Sequence, residues 1–113
     1  MKIPEAGKLL RIFIGESDKH HGQPLYEAIL HLARREGLAG CTVVKGCEGF
    51  GAASRIHTSK ILRLSEDLPV IIEIVDAADK IERFLPHLDT MVEEGLVTVE
   101  NVHVILYRHT QAT

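Results

Sequence analysis

The stretch LPVIIEIV, Leu68 to Val75, decides the fold. It is rich in β-branched residues, carries Pro69 near its start where a missing backbone N–H is tolerated, and is too short for an ordinary helix. It reads as a strand. Side chains alternate across a strand, so Val70, Ile72 and Ile74 share one face while Ile71, Glu73 and Val75 share the other.

Toward the C-terminus, Asp76 is placed to cap a helix, with Asp79 three residues on in a box-like position. An apolar stripe follows through Ala77, Ile81, Phe84, Leu85, Leu88 and Val92, and Gly95 is read as its end. Pro86 lies inside that stripe and removes a backbone hydrogen bond, which predicts a kink or a break into two pieces. Leu96 to Val99 and Val102 to Tyr107 then read as strand, interrupted by the polar pair Glu100-Asn101.

Toward the N-terminus the pattern mirrors this. Leu9 to Ile14 alternates, with Leu10, Ile12 and Ile14 on one face and Leu9, Arg11 and Phe13 on the other. Pro24 suits the first turn of a helix whose apolar positions are Leu25, Ala28, Ile29, Leu32 and Ala33, and Gly37 is placed for its C-terminal cap. Cys41 to Lys45 is the second strand. No internal repeat or low-complexity tract is present.

The order is β-α-β-β-α-β, and the simplest α+β solution is the ferredoxin-like split βαβ: an antiparallel four-stranded sheet with two helices on one face. In that arrangement Leu10, Ile12, Ile14, Val70, Ile72 and Ile74 face the helices, and Leu9, Phe13, Ile71 and Val75 point to the open side. An open face that apolar predicts a homo-oligomer, most economically a closed ring. Arg11 and Glu73 interrupt that face and are expected to pair across the strands.

With 113 residues the expectation is one domain, its core at about residues 8–108, with a long β2–β3 loop at about 46–65. A net charge of −3 gives no basic signature, so nucleic acid is not expected as a partner. The apolar runs are far shorter than the roughly 20 residues of a membrane span. The first residues, MKIPEAGKLL, hold no apolar signal core, and the chain is expected in the cytoplasm. Cys41 and Cys47, on one strand, are too far apart to bridge each other and are read as reduced thiols.

A loop of about 20 residues is long for a compact domain, where such segments carry function or motion. Its first part reads GCEGFGAASRIHTS, Gly46 to Ser59. The segment lacks the GxxxxGK[ST] of a Walker loop, and its GxxGxG order is not the dinucleotide fingerprint. Two readings fit the spacing. One is a flexible glycine turn; the other is an anion nest of backbone N–H groups with Arg55 as a bidentate phosphate donor and His57 and Ser59 adding hydrogen bonds.

Three motifs in order resemble a known family. GESDKHHGQPLYEAI (Gly15 to Ile29), GFGAASRIHTS (Gly49 to Ser59) and LSEDLPVIIEIVD (Leu64 to Asp76) look like those of the PII-like small proteins, a domain of unknown function related to the nitrogen-regulatory PII signal transducers. The likeness runs from about Leu9 to Tyr107. It implies a homotrimer of ferredoxin-like subunits with nucleotide-binding clefts between them. It also implies a T-loop at the β2–β3 segment that contacts a target protein, by analogy a transporter or channel. The base of that loop would help hold the phosphates of an adenine nucleotide, and the matching positions are Gly46, Gly49, Phe50, Gly51, Arg55 and His57. PII proteins also carry a glycine-rich, lysine-containing loop between helix two and strand four, where this chain has only EEGLVT, Glu93 to Thr98. An AMP- or ADP-like ligand is therefore favoured over a triphosphate, with Arg108 as a second cationic contact. No tyrosine lies between Gly46 and Ser65 to be nucleotidylated.

Other constellations carry less. Seven histidines include no HxH or HxxxH spacing, so no metal ligand is assigned. His21, in the turn before helix one, is read as stabilising that turn. Ser54, His57 and Glu48 form a triad in composition only, and no catalytic residue is assigned. The leading expectation is a regulatory protein and not an enzyme. The alternatives are a small oligomeric enzyme acting on a nucleotide or phosphorylated metabolite, and a metal-binding oligomer.

Overall fold

The computed structural model describes residues 5–51, 57–58 and 67–110. Four strands and two helices alternate as β1 (Ala6–Gly15), α1 (Leu25–Arg35), β2 (Thr42–Lys45), β3 (Pro69–Asp76), α2 (Ala78–Met91) and β4 (Leu96–His103). The sheet order is β2-β3-β1-β4, antiparallel throughout, as the split βαβ reading requires.

β1 and β3 are the central pair, in register from Lys8 opposite Asp76 to Gly15 opposite Pro69. That register places Leu10 against Ile74, Ile12 against Ile72 and Ile14 against Val70, all buried. The helices supply the other half of the core: Leu25, Ala28, Ile29 and Ala33 from α1, and Ile81, Phe84, Leu88 and Met91 from α2. The six residues assigned to the helix side from the alternation are all buried.

α1 ends as Gly37 suggested. Gly37 has φ +76°, its N–H donates to the carbonyl of Arg34, and the N–H of Leu38 donates to that of Ala33, the paired bonds of a Schellman ending. Pro24 is one residue earlier than expected, at the cap position, and the N–H of Leu25 donates instead to the carbonyl of Asp18. Before it, Lys19–His20 pairs with Gln23–Pro24 around His21 and Gly22, both at positive φ, as a type I′ turn demands.

Several boundaries differ from the sequence reading, each for a physical reason. Asp76 does not cap α2, because β3 continues through it and the cap position falls to Ala77. Its carboxylate is fully buried and accepts the N–H of Ala77 at 2.7 Å and of Ala39 at 2.9 Å. α2 runs as one helix through Pro86, whose exposed position lets water serve the freed carbonyl of Glu82. It stops at Met91, not Gly95. Gly95, at φ +154°, opens the way into β4, where an added Cβ would sit 2.7 Å from the carbonyl oxygen of Phe13. β4 does not break at Glu100-Asn101, since Glu100 bonds Arg11 and Asn101 bonds Lys8 on the neighbouring strand. Residues 104–107, expected as strand, lie beyond its end.

Replacing Ile72 by Ala is expected to lower unfolding free energy by about 3 kcal/mol. Gly95→Ala should cost about 1 to 3 kcal/mol through backbone strain. Urea unfolding at fixed protein concentration measures both, and a Gly95→Ala protein as stable as its parent would contradict the close approach to Phe13.

Candidate functional site

The glycine turn begins where β2 ends. Gly46 donates its N–H to the carbonyl of Pro69 at 2.7 Å, and Glu48–Gly49 then pairs with His57–Thr58 as a two-residue ladder. A Cβ on Gly46 would fall 2.7 Å from Cγ of Pro69, and one on Gly49 3.3 Å from the same atom. These two glycines let the turn lie against the proline ring that starts β3. Gly51 faces open space, and Phe50 is 69% exposed. Arg55 lies outside the described residues, as does most of the expected mobile outer half of the loop, and of His57 only the backbone pairing is described.

The turn after β1 is tied to the same end of the sheet. Glu16 donates its N–H to the carbonyl of Leu68 at 2.8 Å, and Ser17 donates its N–H to Oδ1 of Asp67 at 2.7 Å. Gly15 donates to Oδ2 of Asp18 at 3.0 Å. The Lys45 ammonium pairs with the Glu16 carboxylate, whose hydrogen bond and charge raise the lysine's pKa. Asp18 and Asp67 thus hold backbone N–H groups of the turn after β1, and Glu16 holds Lys45 at the end of β2. Apart from the local Gly15–Asp18 bond, these contacts join segments some 30 to 50 residues apart, and sequence spacing carries no signal for them.

The outer face of the sheet carries its own network. Arg11 Nε donates to Glu73 Oε2 at 2.8 Å, the expected pair, and Nη1 donates to Glu100 Oε1 at 2.8 Å, a third member the sequence did not suggest. The hydrogen bond to Glu73 and the two negative charges raise the arginine's pKa further. Around it Leu9, Phe13, Ile71 and Val75 are partly exposed, and Val44 and Leu96 are exposed.

Beyond β4 the chain crosses the end of this face. Val104 donates its N–H to the carbonyl of Glu5 at 2.6 Å, and the Tyr107 hydroxyl donates to the carbonyl of Ala39 at 2.9 Å. Between these points Ile105 is 83% exposed and Leu106 63%. Under the crossing lies an open cleft of about 690 Å³, lined by Leu9, Thr42, Glu73, Val75, Val102 and Tyr107 among others. Arg108 follows, exposed, at the Ala39 end of the sheet. The glycine turn is at the Pro69 end, and the eight residues of β3 between them span about 23 Å at 3.3 Å per step. Gly46, Gly49, Phe50 and Gly51 are thus brought together, and Arg108 is not brought to them within one subunit.

Among the described residues no three His, Cys, Asp or Glu side chains gather as a metal site, and no helix is long and apolar enough to cross a membrane.

Residues 7–104 match the model of the family DUF190, described as "Uncharacterized ACR, COG1993". The chain belongs to the DUF190 family. It is 41% identical over 98 residues to a UPF0166 protein of Aquifex aeolicus, covering 87% of this chain and 92% of that one. A UPF0166 protein of Methanocaldococcus jannaschii is likewise 41% identical over 98 residues, covering 86% of this chain and 90% of that one. Among solved structures, this DUF190 chain resembles CPII of Thiomonas intermedia K12, a nitrogen regulatory PII-like protein bound to ADP, AMP and bicarbonate. The TM-score is 0.65 with 18% identity, over 92% of this chain and 99% of that one. The PII-like, ferredoxin-like fold expected from the motifs is the fold of this DUF190 protein.

The two thiols differ in environment. Cys47 is exposed, whereas burial pushes the Cys41 thiol up to about 11. At about pH 8 roughly one Cys41 in a thousand is then thiolate. Iodoacetamide should label Cys47 in the native protein and reach Cys41 only above about pH 10 or after unfolding. Peptide mass spectrometry reads the order, and prompt native labelling of Cys41 would contradict its burial.

Proposed function

We propose that this chain is a PII-like regulatory subunit that binds an AMP- or ADP-like nucleotide in clefts between the subunits of a homotrimer. The β2–β3 segment then reports occupancy to a target protein. The observation that carries this reading is the separation of the glycine turn and Arg108 by the length of β3. A phosphate held by the turn of one subunit can meet Arg108 only from another. The apolar outer face, with Leu9, Phe13, Ile71, Val75 and the exposed Val44 and Leu96, supports assembly. β4 supports it too, because its helix-side residues Val97 and Val99 remain exposed beside an edge that no described strand pairs.

The choice of ligand follows from fold and charge. The PII-like relative of shared fold was solved with ADP and AMP bound. In the present chain the Lys45 ammonium beside the turn is already paired with Glu16, which leaves less positive charge to meet each added phosphate. Arg55 and His57 complete the phosphate contacts of this reading, and backbone N–H groups at Gly49 and Gly51 supply the nest.

Calorimetry with AMP, ADP and ATP, on protein whose solution mass has been determined, tests the reading. A trimer with saturable binding of AMP or ADP and no turnover is expected. Arg55→Ala and Arg108→Ala should each weaken binding by about tenfold or more, the scale of a lost charge-assisted hydrogen bond. A trimer that gives no heat or thermal shift with any adenine nucleotide would sink it.

A further inference from the structure

The polar group that fixes the chain beside Arg108 is the Tyr107 hydroxyl, and its acceptor is unusually well determined. The Ala39 carbonyl belongs to a residue whose own N–H is held by the fully buried Asp76 carboxylate at 2.9 Å. That carboxylate also accepts from Ala77 at the start of α2. The preceding residue, Leu38, closes the Schellman ending of α1 through its bond to Ala33. Three elements thus set the position of one carbonyl oxygen: the end of α1, the end of β3 and the start of α2.

Packing within the subunit gives the crossing segment little support, since Ile105 and Leu106 are 83% and 63% exposed. On the far side of Arg108, the His109 ring meets the Tyr107 ring edge-on with centroids 6.5 Å apart. Arg108 is therefore bracketed by an anchored tyrosine and a histidine leaning on it. A long cationic side chain loses rotamer and backbone freedom when it binds an anion, and a fixed backbone reduces that loss.

We propose that Tyr107 is a positioning residue: its bond to the Ala39 carbonyl holds the backbone of Arg108 and sets where the guanidinium is presented to an anionic ligand. The ligand clause rests on the nucleotide reading above; the holding of Arg108 does not. Asp76 acts one step behind, by fixing the peptide to which Tyr107 is tied.

Tyr107→Phe removes the hydroxyl and keeps the ring. In the intact oligomer, the rate of tryptic cleavage after Arg108 should rise about three- to tenfold, the population change that one net hydrogen bond controls. The thermal midpoint of the whole protein should stay within a degree or two of the parent. AMP or ADP affinity should fall by a similar factor, and in an Arg108→Ala background Tyr107→Phe should have no further effect on binding. An unchanged tryptic rate overturns the proposal, as do additive effects of the two substitutions on affinity. If the parent protein binds no adenine nucleotide, the functional reading fails, and the tryptic rate still decides whether Tyr107 holds Arg108.

Discussion

The register of β1 against β3 is the constraint on which the remaining structure depends. Eight consecutive pairs, from Lys8 with Asp76 to Gly15 with Pro69, send every second side chain toward the helices. A slip of one residue would turn Leu10, Ile12 and Ile14 to the opposite side and bring Arg11 into the core. The same register brings Arg11 opposite Glu73 and Asp76 to the helix side at the strand's end. One ladder therefore fixes the core, the charged network on the outer face, and the buried carboxylate that organises the α1–β2 connection. It also separates the glycine turn from Arg108, since β3 is the ruler between them.

Much of this was legible in the chain because it is periodic. Alternation in Leu9 to Ile14 and Leu68 to Val75 sorted the two faces correctly, and the helical spacing in Leu25 to Ala33 and Ile81 to Leu88 identified the residues that cover one of them. Gly37 marked its helix end because a Schellman ending needs positive φ. The misreadings arose where a residue had two local meanings and a distant partner chose between them. Asp76 has the chemistry of a cap but is held in strand by Lys8 opposite. Gly95 follows a helix but serves the approach to Phe13. Glu100 and Asn101 look like an interruption until Arg11 and Lys8 are seen across the ladder.

The candidate site was less legible for the same reason. Gly46 and Gly49 stand out in any reading, but the reason for two of the glycines, the ring of Pro69, is 20 or more residues away. The bond from Tyr107 to Ala39 spans 68 positions and leaves no periodic trace. Membership of the DUF190 family and the shared fold with a PII-like protein place the chain in its structural class.

The place of β4 beside β1 has a consequence for how the protein is made. Ala6 pairs with His103, so β1 waits for a partner made nearly a hundred residues later. Until β4 arrives, one edge of β1 is open. Such late, long-range closure is slow because the loop entropy is lost before the pairing rewards it. A folding intermediate that lacks β4 leaves this edge open, and it is the species that a chaperone would have most reason to bind.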